Sequence, residues 1–304
     1  MNNFIEYFYN IKVDEVKKNN DCYSFIYNGY VYKLYLYDEN NINLMLSINK
    51  QLLGYTLISE IILNKDNNPI SIYNGIKYLL IKIFTHNNKI TLEDISYFDN
   101  SLYTNGLKVN WGMLWSNKID YIEEMIAENG KKYPIIVDSF NYFVGLAENA
   151  ISYYNSIPIN NNYTYYISHK RIRINDTTES LYNPLNIIFD YKVRDVAEYI
   201  KNAFFLNNTN IFNELDAYLK FNKLSLTDIK LLIARVLYPS FYFELYEDIL
   251  VNNKDEKIIV PIINMLPKYE KYLNMVITYF KKNYNIDEIL WLKKMKFNLH
   301  LQPL

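Results

Sequence analysis

Cysteine is almost missing from this chain. Cys22 is the only one in 304 residues, so no internal disulfide can form and a reducing, cytoplasmic compartment is expected. Cys22 itself reads as a small apolar residue within a strand. Glycine is scarce as well, and neither a Walker loop nor a Gly-x-Ser-x-Gly elbow is present. No stretch approaches the roughly 18 apolar residues of a membrane span. The opening MNNFIEYFYN has no charged start followed by an apolar run, so a secretory leader is not expected either. The three histidines, His86, His169 and His300, lie far apart without cysteine partners or His-x-x-x-His spacing, which gives no zinc-ligand pattern. Neither sign of charge dominates: 32 basic residues stand against 33 acidic ones, which argues against a broad nucleic-acid-binding face.

What is abundant is tyrosine, at 32 residues, together with asparagine spread through loops and helix ends. There is no continuous low-complexity tract, so disorder is not indicated. The length suffices for one large domain or two closely packed lobes.

Hydrophobic patterning divides the chain. Val13–Val16 is a short candidate strand. Cys22–Tyr27 and Tyr30–Tyr37 alternate around Asn28-Gly29, the strongest short-range hairpin signal. Ile42–Leu53 reads as a helix closed by Gly54, and strands follow near Ile58–Leu63 and Lys77–Phe84, the second after a Tyr73-Asn74-Gly75 turn. From Thr91, which with Asp94 resembles a capping-box start, the pattern turns helical. Helices are expected over Asn110–Asn129, Ser139–Asn155, Arg194–Leu206, Ile211–Phe221, Ser225–Val251, Glu256–Met265, Tyr269–Tyr284 and Asp287–Lys296, punctuated by Pro239, Pro261 and Pro267. Two extended pieces, Tyr163–Ser168 and Asn186–Asp190, interrupt them. Trp111 and Trp115, four apart on one helix, read as core packing. The expected fold class is α+β: a small antiparallel-sheet lobe over residues 1–86, ordered β-β-β-α-β-β, and a larger helical lobe over residues 87–304.

This order, followed by His169 in an extended segment and then Asp190, resembles the protein-kinase-like fold, and within it the aminoglycoside-phosphotransferase branch. Trp115-Ser-Asn-Lys-Ile-Asp120, Tyr142-Phe-Val-Gly-Leu-Ala-Glu-Asn-Ala150, Ile167-Ser-His-Lys-Arg171 and Asp190-Tyr-Lys-Val-Arg-Asp-Val-Ala-Glu-Tyr-Ile200 are similar to the spore-coat-associated CotS/YutH type of kinase-like protein. The resemblance implies a set of phosphotransfer parts, because phosphoryl transfer is mostly positioning and charge neutralisation. The glycine-rich turn between the first two strands is replaced by Lys17-Lys18-Asn19-Asn20-Asp21. Lys33 occupies the place of the nucleotide-binding strand lysine, yet 40–53 holds no carboxylate to orient it, and Glu39 and Glu60 fall outside the helix. In the catalytic loop, His169 is retained, Arg171 stands where the base belongs, and Asp176 falls at the position of a magnesium-binding Asn. Arginine stays protonated near neutral pH and cannot serve as a base. Asp190 matches the magnesium-holding Asp, with the N-cap of the following helix as its structural alternative. Arg194 and Asp195 match the family's Arg-Asp pair, with a structural role.

The implied function is that of a spore-coat-associated, kinase-like protein, catalytically degenerate and acting through protein contacts. Spore coat or other proteins are the expected partners, no cofactor is required, and the location is the mother-cell cytoplasm or the coat. The alternative is a divergent small-molecule phosphotransferase using ATP and magnesium through Lys33, His169, Asp176 and Asp190. A third possibility is an anion site built on Lys170, Arg171 and Arg173.

Overall fold

A computed structural model describes residues 1–19, 22–38, 41–54, 56–85 and 87–294. Asn20, Asp21, Glu39, His86 and His300, named above, lie outside them, as does the end of the helix expected over Asp287–Lys296. In chain order the elements are α1 (Asn2–Tyr9), β1 (Lys17–Lys18), β2 (Cys22–Tyr27), β3 (Tyr30–Leu36), α2 (Ile42–Leu52), β4 (Glu60–Ile62), β5 (Ile70–Tyr73), β6 (Ile76–Ile83), α3 (Leu92–Asp99) and β7 (Tyr103–Thr104). There follow α4 (Trp111–Asn129), α5 (Pro134–Asn155), β8 (Tyr165–His169), α6 (Thr178–Leu181), β9 (Ile187–Asp190), α7 (Arg194–Phe205), α8 (Ile211–Phe221), α9 (Leu226–Leu237), α10 (Ser240–Asn252), α11 (Val260–Lys281) and α12 (Leu290–Lys294). The architecture is α+β.

The chain forms two compact units: Met1–Thr104 with Tyr166–Asp190, and Asn105–Tyr165 with Tyr191–Leu304. This division differs from lobes at 1–86 and 87–304. Residues 87–104 group with residues 166–190 because β7 adjoins β8 and Ile167 N–H donates to Leu102 O at 3.0 Å. Residues 166–190 are tied to the sheet region by the Ser59 N–H bond to Tyr182 O at 2.8 Å and the Lys33–Glu179 pair, and to 87–104 by the Thr178 N–H bond to Asn88 O at 2.9 Å and the Lys89–Thr177 bridge.

In the first unit an antiparallel sheet runs β1-β2-β3-β6-β4, with β5 also on β6. Asn28 and Gly29, at φ 49° and 79°, close the β2–β3 hairpin in the left-handed pair of conformations that a two-residue turn of this twist requires. The alternation of side chains then fixes both faces. Phe25, Tyr32, Leu34, Tyr78 and Leu80 pack against Phe4, Ile5 and Tyr9 of α1, while Leu79, Ile81 and Ile83 pack with Met45 of α2. Strand β6 is therefore buried on both sides. The helix α1 was not expected, although Phe4, Ile5, Phe8 and Tyr9 repeat at helical spacing. Val13–Val16 is not a strand. The side-chain amide of Asn2 donates to the carbonyls of Val13 and Asp14, both at 3.2 Å, and the first strand is Lys17–Lys18 instead.

The second unit is helical. Trp111 and Trp115 are buried, with Trp115 stacked on Tyr238 at 4.5 Å and the Arg235 guanidinium 4.7 Å over Trp111, a cation–π contact. Helix α11 runs unbroken through Pro267. Its buried stripe of Ile263, Leu266, Tyr269, Leu273, Val276 and Phe280 continues on one face across the proline, and that packing outweighs the lost backbone bond. At Pro239 no such continuity exists, and α9 and α10 are separate helices.

A buried ionic cluster joins α7 to α9. Glu198 accepts from Lys201 Nζ at 3.0 Å and forms an ion pair with Arg235, whose Nε lies 2.8 Å away. Lys201 also donates to Ser240 Oγ at 2.6 Å. Burial pushes the Glu198 carboxyl up, but Lys201 and Arg235 outweigh it and hold it down at about 2. Burial pushes the Lys201 ammonium down, more than Glu198 restores.

Candidate functional site

The site is built in the first unit, where β8, β9 and the segment between them meet the sheet. Strand β8 pairs with β9, from Tyr166 opposite Asp190 to His169 opposite Ile187. At the end of β8 the Lys170 N–H donates to Asn186 O at 2.7 Å. Ile172 is buried, and this anchors the loop so that Arg171 and Arg173 on either side of it are exposed. The loop closes as a turn: Asp176 N–H donates to Arg173 O at 3.1 Å, and Asp176 Oδ2 accepts from Arg173 N–H at 2.7 Å. The single turn α6 follows.

From the sheet, the period of two places Lys33 and Tyr35 on one face of β3, and Cys22 lies opposite Tyr35 in the register. The Lys33 ammonium forms an ion pair with the Glu179 carboxylate of α6, both side chains being about one-fifth exposed (21% and 23%). Two residues along, Asn183 Nδ2 donates to Tyr35 Oη at 3.2 Å. These contacts border an open cavity of about 740 Å³ lined by Cys22, Lys33, Tyr35, Lys170, Arg171, Arg173, Asp176 and Glu179, with Asn19, Ser180, Asn183 and Asn186. Among the described residues of the lining, four cationic side chains stand against two carboxylates.

Five of the residues singled out in the sequence, Lys33, Lys170, Arg171, Arg173 and Asp176, thus come together. His169 and Asp190 do not line the cavity. His169 is buried at 1% exposure, its Nε2–H donates to Leu181 O at 2.6 Å, and its ring lies 4.6 Å from that of Phe98. Asp190 is buried at 3% exposure. It is not the N-cap of α7, which is Val193. Only Tyr191, Lys192 and Val193 separate it from Arg194, so the connection is as short as the sequence indicated. Asp195 is buried in the first turn of α7.

Lys33 has a carboxylate partner although 40–53 holds none. The partner lies 146 residues away in the chain, on α6 and off the helix expected to carry it, beyond the reach of a local pattern. The only local signal is an acidic residue in the first turn after Thr177 and Thr178. Among the described residues no group of three or more His, Cys, Asp and Glu side chains is arranged to hold a metal ion. No helix among them is long and apolar enough to cross a membrane.

The fold is that of the aminoglycoside phosphotransferases. An aminoglycoside phosphotransferase from Alicyclobacillus acidocaldarius superposes with a TM-score of 0.64 at 9% identity, covering 90% of this chain and 93% of that one. Spectinomycin phosphotransferase in complex with ADP and spectinomycin gives 0.58 at 14% identity, covering 96% and 95%. The chain belongs to the family described as Spore coat putative kinase YutH, whose model matches residues 2–276. The endospore coat-associated protein YutH of Bacillus subtilis is 31% identical over 186 residues, 54% of this chain and 55% of that protein. The chain thus spans about half the length of the curated relative it matches.

Proposed function

We propose that the protein is a catalytically degenerate, kinase-like component of the spore coat that acts through contacts with other proteins. The family description and the name of the Bacillus subtilis relative support coat association. One observation carries the loss of catalysis: both carboxylates among the described residues of the cavity already have partners. Glu179 holds Lys33, and Asp176 caps its own turn through the Arg173 N–H. Arg171 stands where the base of a phosphotransferase belongs, and a guanidinium keeps its proton near neutral pH.

The residues do not fit a nucleotide–magnesium site. Such a cation wants oxygen ligands beside the phosphates, whereas Asp190 is buried off the cavity. A reducing cytoplasm, in the mother cell where coat is assembled, suits the single Cys22. The alternative, an ATP- and magnesium-dependent small-molecule phosphotransferase, is favoured by one feature: Lys33 has a carboxylate to orient it.

The deciding experiment is thermal shift and turnover with millimolar ATP and magnesium on the purified chain, beside Asp190→Ala. Neither a shift nor turnover is expected. Turnover that Asp190→Ala abolishes would establish the phosphotransferase instead. For the coat reading, a fluorescent fusion in sporulating Bacillus subtilis is expected at the spore surface, and uniform cytoplasmic fluorescence would count against it.

A further inference from the structure

We infer that the cavity is a metal-independent site for a small polyanion, and that Glu179 is its built-in competitor. The cavity departs from a magnesium-dependent phosphate site in the sign of its lining. A kinase loop brings carboxylate and amide oxygens to a metal, and the metal brings the positive charge. Here the same stretch supplies the positive charge directly, through Lys170, Arg171 and Arg173, and the sheet adds Lys33. Ile172 holds the loop down from beneath, and the Asp176 turn closes it, so the two guanidinium groups stem from a fixed backbone. Arginine suits this task, because its planar fork matches the paired oxygens of phosphate and carboxylate groups.

Within this basic lining Glu179 reaches from α6 to the Lys33 ammonium. Its carboxylate is an anion held by the site's own cation, the position a ligand's oxygen would take. A ligand that engages Lys33 must share the ammonium with Glu179 or displace it, so the Glu179 charge opposes its binding. A volume of about 740 Å³ is generous for a diphosphate or a tricarboxylate and falls within the range of small-molecule pockets. The inference does not rest on coat association or on the absence of catalysis.

Isothermal titration of the full chain with inorganic pyrophosphate in EDTA tests it, with citrate as a second arm that separates phosphate-bearing from polycarboxylate ligands. Glu179→Gln is expected to tighten binding about tenfold and Arg171→Gln to weaken it by a similar factor, with Arg171→Lys retaining most of it, as charge-assisted contacts dictate. Affinity is also expected to fall with added salt. A gain of affinity in Glu179→Gln cannot come from misfolding. The inference is overturned if neither anion binds wild type or Glu179→Gln at millimolar concentration, if binding requires magnesium, or if Arg171→Gln and Arg173→Gln leave it unchanged.

Discussion

Glu198→Gln removes the charge that Lys201 and Arg235 share in the buried cluster of the helical unit. Glu198 is buried between two cations, Lys201 at 3.0 Å and Arg235 at 2.8 Å, whose side chains are only 2% and 8% exposed. Glu198→Gln keeps the volume and removes the charge, which leaves two buried cations without their shared anion. Breaking such a pair from one side typically costs about 3–5 kcal/mol. The lower end applies here, because Lys201 keeps its bond to Ser240 Oγ and Arg235 keeps the face of Trp111. A loss of about 3 kcal/mol corresponds to a fall of roughly 6–12 °C in the transition of a unit of this size. Differential scanning calorimetry at pH 7 measures it. Burial already pushes Lys201 down, and without Glu198 it falls further. Between that lowered value and its unfolded value of about 10.4 the unfolded chain binds more protons. Stability of the variant therefore rises with pH, and part of the deficit is recovered at pH 9. A fall of less than about 2 °C at pH 7, or a deficit that grows toward pH 9, would refute the reasoning.

Two further outcomes are expected. Glu198 is held at about 2 in the folded chain, below its unfolded value of about 4.3, so it contributes stability fully above the unfolded value. That contribution, about 3 kcal/mol, is lost as pH falls from about 4.5 toward 2, and Glu198→Gln should flatten this part of an acid-unfolding curve followed by circular dichroism. His169 serves packing in this arrangement, so His169→Ala should lower stability by about 2–4 kcal/mol, from the lost ring and the orphaned Leu181 carbonyl, as read from urea unfolding. Anion affinity in the same variant should change little so long as it is folded. A His169→Ala variant of wild-type stability would contradict the packing role.

The sequence alone determined whatever depends on near neighbours. Asn28-Gly29 specified a two-residue hairpin because few other pairs accept positive φ at both positions, and Cys22–Tyr27 was recovered with its boundaries intact. Thr91 and Asp94 specified the start of α3 through a reciprocal pair of bonds. Arg171 at the base position was legible without any structure, since it needs only a motif and a pKa. Tertiary structure decided the rest. Pro267 sits inside a helix because a buried stripe crosses it, and that stripe exists only against its neighbours. The carboxylate for Lys33 comes from Glu179, beyond the reach of any local pattern. His169 and Asp190, matched by motif, are set apart from the cavity by burial, while Lys33 of β3 is brought to the loop that carries Lys170, Arg171, Arg173 and Asp176. Local conformation follows from sterics and hydrogen bonds within a few residues, whereas partners and burial follow from which surfaces the fold brings together.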